Sequence, residues 1–141
     1  MSDVGSMNDF NQRIIAEFRA NKGVVGGMFA GMPMLILHSK GAKSGVIRQH
    51  PLAYQPRGDN AWAIFASKAG APTNPDWYHN LVAHPDASIE VGADTVRVTT
   101  RVLEGAERSE VWEAQKAASA AFAKYEAATT RVIPVVLLSR A

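Results

Sequence analysis

Leu37-His38-Ser39-Lys40-Gly41-Ala42-Lys43-Ser44-Gly45-Val46-Ile47-Arg48-Gln49-His50-Pro51 carries the decisive pattern of this chain. The apolar run 34–37 enters a loop of lysine, glycine and serine, and a second extended run, beginning at Val46, leaves it with Arg48 on one face. That pattern predicts a β-hairpin with strands over 34–39 and 46–54 and a cationic tip. Glycine reaches positive φ at little cost, so the backbone N–H groups around Gly41 and Gly45 are expected to turn toward an anion. Lys40, Lys43 and Arg48 would then surround a phosphate or carboxylate with charge-assisted donors. The alternative is an exposed turn with solvated lysines, since Lys and Gly are ordinary turn residues.

Two sharper motifs fail. A nucleotide-binding P-loop needs glycine directly before its Lys-Ser pair and again five positions earlier, with a helix following. Those positions hold Ala42 and Leu37, and a strand follows. Lys43-Ser44-Gly45 also resembles the Lys-Thr-Gly element of serine β-lactamases, but no Ser-x-x-Lys nucleophile occurs in the chain.

The 141 residues suffice for one domain that buries about two thirds of its unfolded surface. Apolar residues make up 47% and charged residues 20%, a globular composition without low-complexity tracts. A net charge of +2 is too small for wholesale nucleic-acid binding, so the cations matter where they cluster. The absence of cysteine excludes disulfides and thiolate metal sites. His38, His50, His79 and His84 lack ligand spacing, so no metal is expected. No apolar leader region or membrane-length run is present, and the expected location is cytoplasmic.

Residues 1–8 read as a flexible tail and 9–141 as a single domain. Phe10, Ile14 and Phe18 recur at a spacing of four beside Ile15, and Asn21 and Gly23 supply a stop, predicting an amphipathic N-terminal helix. Its stripe faces the core, while Arg13, Arg19 and Lys22 leave open a peripheral contact with the inner face of the plasma membrane. Pro51 suggests an edge strand or bulge. Pro56-Arg57-Gly58-Asp59 is a turn, and 61–67 a third strand, completing an antiparallel meander with the hairpin. Asn74 is the expected N-cap, and Pro75 the first residue, of a short helix that follows a loop containing Lys68, a second anion-favouring arrangement. Trp77 and Leu81 share its core face, with Asn80 and Tyr78 elsewhere. The runs 87–91 and 95–103 flank a turn at Gly92-Ala93-Asp94, and Arg97, Thr99 and Arg101 mark the solvated face of the longer strand. Residues 105–127 read as one helix with Val111, Gln115, Ala118 and Phe122 along a side, and 132–138 as a strand buried on both faces. The fold class is α+β, mainly antiparallel β: a small barrel of six strands with an N-terminal helix and capping helices.

Four motifs in this order resemble the deazaflavin-dependent nitroreductase family, also called F420H2-dependent quinone reductases. They are the run 35–51 with Gly-x-Lys-Ser-Gly, Arg and Pro; Ala66-Ser67-Lys68-x-Gly70-Ala71; Pro75-x-Trp77-Tyr78-x-Asn80-Leu81; and Thr130-Arg131-x-Ile133-Pro134-Val135-Val136. The resemblance covers nearly the whole chain from Asn8 and implies a split β-barrel, related to FMN-binding proteins, that uses reduced coenzyme F420. That cofactor is anionic through its phosphodiester and polyglutamate tail. The resemblance carries cofactor contacts onto Lys43, Ser44, Gly45, Arg48 and Pro51, and onto Ala66, Ser67, Lys68, Ala69, Gly70, Trp77 and Asn80. It places an acceptor pocket at Met28, Phe29, Ser119, Phe122 and Tyr125. The chain departs from the family at Ala42, where an Arg is usual, and at Ser119 and Phe122, where the nitroreductase member has tyrosines. Tyr125 keeps a phenol and is the candidate proton donor.

The implied reaction is hydride reduction of a planar, apolar, electron-poor small molecule, such as a quinone, an activated enone or lactone, or a nitro compound, by a monomer or homodimer. No side-chain nucleophile is needed for it. The rival readings are a non-catalytic carrier of F420 or of a lipid-like ligand, and a small barrel that binds single-stranded nucleic acid.

Overall fold

The computed structural model describes residues 3–26 and 31–141, so Met28 and Phe29 lie outside the described residues. The decisive hairpin forms: β1 (Met34–Lys40) and β2 (Ile47–Ala53) pair antiparallel from Met34↔Ala53 to Lys40↔Ile47. Leu35, Ile36 and Leu37 have no exposed surface, because β1 is covered on both faces and flanked by β2 and β5 (Asp86–Val91). Burying each such side chain contributes about 1.5–3 kcal/mol. β2 lies at the sheet edge, where Pro51 costs no ladder hydrogen bond.

The remaining strands are β3 (Gln55–Pro56), β4 (Ala61–Phe65), β6 (Asp94–Val102) and β7 (Val135–Arg140). The sheet runs β2-β1-β5-β6-β7-β4-β3, so β2 and β3 occupy opposite edges. Yet only Tyr54 separates them in the chain, which holds Ala53 and Gln55 within about 7 Å. The sheet must therefore curl until its edges meet, and Tyr54 sits at the seam, its N–H bonded to Pro33 O at 3.1 Å. The expected meander is corrected here. β4 does not add to the hairpin but crosses to pair with β7 from Ala61↔Ser139 to Phe65↔Val135. Seven strands form among the described residues, because the turn at Gly58 closes the short β3–β4 ladder that the sequence pattern did not reveal.

Strand alternation sorts the core into an interior and two outer layers. Leu35, Leu37, Trp62, Ile64, Ile89, Val136 and Leu138 fill the curl, closed by Trp77 and Leu81 of α2 (Asp76–Ala83). Met34 and Ile36 face outward onto Ile15 and Phe18 of α1 (Asp3–Ala20). That helix begins within the segment read as a tail. Its buried residues are Ile15 and Phe18, while Phe10 is exposed. Arg19 ties it to the sheet through Glu90, at 3.0 and 2.7 Å, and His38 Nε2 meets the same carboxylate at 2.7 Å. The other outer layer joins Ala63, Phe65 and Val135 to α3 (Gly105–Ala118) and α4 (Ala120–Ala127). One continuous helix was expected over that span. The chain instead breaks at Ser119, which is extended (φ −145°, ψ 113°), and this re-aims α4. Of the expected stripe, Val111, Gln115 and Phe122 are buried and Ala118 is exposed; Trp112, outside that stripe, is buried at 1% exposure and packs against Phe65 and Phe122. β7 is central and largely buried, but it runs from Val135 to Arg140 rather than over 132–138, and Val132 is exposed outside it. No described helix is long and apolar enough to cross a membrane.

Candidate functional site

The cationic loop is closed by its own backbone. Gly41 N–H donates to Val46 O (2.8 Å), Gly45 N–H to Gly41 O (3.0 Å), and Val46 N–H to Ser44 Oγ (3.1 Å). The expectation that the N–H groups at Gly41 and Gly45 face an anion is therefore corrected: turn closure consumes both. The N–H groups of Lys43 and Ser44, between those glycines, have no hydrogen-bond partner among the described residues, and the side chains add to them. Lys43 and Arg48 are exposed and have no ion-pair partner among the described residues, and the Ser44 hydroxyl can still donate. Glycine is favoured at both ends of the loop. A Cβ on Gly41 would strike Ser44 Oγ, and Gly45 has φ +72°.

Helix α2 fixes where this loop stands. Asn80, 7% exposed, accepts the Ala42 N–H at 2.9 Å and donates to the fully buried Ser39 Oγ at 3.2 Å. Both ends of its carboxamide are thus used to dock the loop, so Asn80 lies inward rather than away from the core face. Asn74 does not cap α2, because Pro75 occupies the cap position and the Asn74 carboxamide oxygen is taken by an arginine.

That arginine, Arg131, organises the second loop. Its guanidinium donates to Ala66 O (3.0 Å), Ser67 O (2.9 Å), Ala71 O (2.9 Å) and Asn74 Oδ1 (2.7 Å). Burial alone lowers its pKa from the usual arginine value, and no carboxylate pairs with it among the described residues. The loop so held contains Lys68 at φ +47°, a left-handed conformation unfavourable for a side-chain-bearing residue. Strain of this kind survives where surrounding contacts over-determine the backbone, and it clusters at functional sites. Among the described residues Lys68 Nζ reaches only Thr73 Oγ1, at 3.4 Å. Gly70 (φ +81°) packs so closely on α4 that a Cβ would lie 2.8 Å from Ala128 Cβ. The signal for Arg131 was present in the Thr-Arg-x-Ile-Pro motif, but its four acceptors are 57 to 65 residues away in sequence.

The two loops share one element, since the first docks on Asn80 of α2 and the second runs into that helix's start. Between them lies one face of β2. Its alternate residues Arg48, His50, Leu52 and Tyr54 stand opposite Ser39, Leu37 and Leu35 or continue beyond them, with Leu52 and Tyr54 packed on the barrel interior. His50 Nδ1 on this face is buried without a hydrogen-bond partner among the described residues. Burial, the main cause, lowers the His50 pKa, with Asp76 opposing and Arg48 assisting. The face ends at a cavity of about 350 Å³ at the seam, lined among others by Met32, Pro33, Tyr54, Gln115 and Ser119.

The sequence-predicted residues thus take up different positions. Lys43, Ser44, Gly45, Arg48 and Lys68 are exposed at the two loops. Ala66, Trp77 and Gly70 are buried, and Ala66 has its N–H on Pro134 O and its carbonyl on Arg131, so they shape the site from beneath. Ser67 is buried with its carbonyl on Arg131, and Ala69 lies in the 3₁₀ turn Lys68–Gly70. Pro51 belongs to the alternate set of β2 residues, opposite Ile36. Of the helical pocket candidates only Ser119 lines the cavity. Phe122 is buried against Phe65 and Trp112, and Tyr125 stacks edge-on to Phe122.

Comparison with known proteins places this geometry in context. Residues 11–140 match the profile described as F420H(2)-dependent quinone reductase. An F420H(2)-dependent quinone reductase of Mycobacterium tuberculosis is 38% identical over 129 residues, spanning 89% of this chain and 86% of that protein. A solved F420-H2 dependent reductase is 36% identical, covering 76% of this chain and 94% of its own, with a TM-score of 0.69. A chain solved as a domain-swapped dimer is 33% identical, with 94% and 98% coverage and a TM-score of 0.71. The fold is the split barrel shared with FMN-binding-like proteins.

Proposed function

The chain belongs to the F420H(2)-dependent quinone reductase family, and from that premise we propose that it binds reduced F420 along the β2 face, between the loops at Lys43 and Lys68, and reduces a planar, apolar quinone-like acceptor. When bound, reduced F420 supplies the hydride; the protein supplies position, charge and a dry wall. The observation that carries the assignment is a set of unpaired polar groups that runs from the cationic loop onto one face of β2. Among the described residues Lys43 and Arg48 lack acidic partners, and His50 Nδ1, next after Arg48 on the β2 face, is buried without a hydrogen-bond partner. A buried polar atom left without a partner costs free energy unless a ligand satisfies it, and an elongated polyanion fits this set.

The residues then have separate tasks. Lys43 and Arg48, with the Ser44 hydroxyl, hold the phosphate and acidic tail. Asn80 keeps their loop seated on α2. Arg131 holds Lys68 in its strained position and adds a half-buried positive charge that no carboxylate neutralises among the described residues. Trp77 and Ala66 wall the site and exclude water.

Replacing both Lys43 and Arg48 with Ala tests this. Two charge-assisted contacts are together worth roughly 3 kcal/mol, a loss of somewhat over a hundredfold in F420 affinity at low salt. Because both side chains are exposed, the loss should shrink as salt rises. Affinity unchanged in the double variant would remove the loop from the site.

A further inference from the structure

We infer that the seam cavity is the acceptor site, and that the Gln115 carboxamide and the Tyr54 hydroxyl are the groups that bind the acceptor's carbonyl oxygen, with Tyr54 as its proton donor. This rests on the reductase reading above and assigns a proton donor other than Tyr125.

The orientation of Gln115 follows from its neighbours. Gln55 Nε2 donates to Val111 O at 3.1 Å, and Gln55 Oε1 accepts from Arg57 at 3.1 Å, so both ends of the Gln55 carboxamide are determined. Arg57 is itself held by Glu110 at 3.3 Å. Gln55 Nε2 also meets Gln115, at 3.3 Å, and a donor there requires Gln115 to present its oxygen. The Gln115 amide nitrogen is thereby left as a donor without a partner among the described residues, on a side chain that is 6% exposed and lines the cavity. Tyr54, half-buried at the seam, lines the same cavity, and its hydroxyl also lacks a partner among the described residues. Burial raises its pKa above the usual phenol value, which keeps the proton in place.

An amide N–H and a phenol O–H beside apolar Met32, Pro33, Pro56 and Ala118, with Ser119 and the already engaged Gln55 at the wall, select an acceptor oxygen on a flat apolar body. At about 350 Å³ the cavity lies near the lower end of ligand pockets, roughly 300–1,000 Å³, so it takes a compact ring system and leaves any long tail outside. The acceptor gains one hydride, with both electrons, from the reduced cofactor, which is thereby oxidised. It gains one proton from Tyr54, whose O–H bond breaks as the O–H bond on the acceptor forms; the phenolate recovers its proton from water.

The test uses the full chain with reduced F420 and menadione. Tyr54→Phe should lower kcat by at least about tenfold, as for loss of a general acid. Gln115→Glu, which replaces the donor with an acceptor, should raise the KM for menadione by at least about tenfold. Gln115→Glu, away from the β2 face, should keep F420 affinity within about twofold of the parent, read by fluorescence quenching. Calorimetric titration of menadione into cofactor-free protein should show the same loss for Gln115→Glu, and Gln115→Met should reproduce it if the acidic variant folds poorly. Unchanged menadione kinetics in the Tyr54 and Gln115 variants, or a kcat loss in Tyr125→Phe that Tyr54→Phe does not show, would overturn the inference. Failure of the parent to bind F420 would sink the reductase reading instead, and the cofactor-free titration would still decide whether the cavity takes menadione.

Discussion

Arg131→Lys separates the charge of the half-buried arginine from its shape. The guanidinium spans four acceptors on three carbonyls and one carboxamide, at 2.7–3.0 Å. An ammonium is a point donor with three N–H groups and cannot bridge that spread, so at least two of the acceptors lose their protein partner. A hydrogen bond from a charged donor contributes about 1.5–3 kcal/mol, part of which is offset because the smaller cation re-exposes its surroundings to water. A net loss of roughly 2–3 kcal/mol follows, or about 10 °C in melting temperature for a chain of this length. The effect on the cofactor should be larger than the effect on stability suggests. With Ala66, Ser67 and Ala71 released, nothing outweighs the cost of the left-handed Lys68, which relaxes and withdraws its ammonium. The assay is urea unfolding paired with F420 titration well below the melting temperature. Reduced stability with at least about a tenfold loss of F420 affinity supports the account. A folded Lys variant that binds F420 as the parent does would refute the claim that the strained loop is held for the ligand.

Asn80→Ala should unseat the cationic loop, leaving Ala42 N–H and Ser39 Oγ without their partner; a loss of about 1–3 kcal/mol is expected by thermal unfolding, together with weaker F420 binding. Acid should loosen the α1 contact. Hydrogen bonding from Arg19, then from His38, lowers the Glu90 pKa from 4.5, so its contribution is present above that value and is lost as pH falls through the depressed one. Glu90→Gln should therefore be less stable than the parent at pH 7 and converge with it in urea melts below pH 4.5; a constant gap across that range would contradict the assignment.

How much of this was legible in the sequence varies with the range of the interaction. The β1–β2 hairpin, the buried β7 and the Gly92 turn follow from alternation and turn residues, which act over a few positions. The barrel seam does not, because closure depends on β4 choosing β7 over its neighbour in the chain, a choice made by packing across the whole curl. The cations of both loops were readable as residues, but their supports were not. Asn80 looked peripheral on a helical wheel, yet its partner Ser39 stands 41 residues earlier. The free backbone donors expected at Gly41 and Gly45 vanish for a local reason: closing so tight a loop consumes them. Likewise the break at Ser119 has no strong residue signal, and without it neither the close packing of α4 on Gly70 nor the position of Tyr125 is deducible.

The most direct measurement is equilibrium titration of the purified protein with F420 and, in parallel, with FMN. FMN shares the split barrel's wider ligand chemistry but lacks the polyglutamate tail, so the cationic loop should favour F420 by at least about tenfold at low salt, and the preference should narrow as salt rises. Equal affinity for the two, or a preference for FMN, would contradict a site built around a long polyanion.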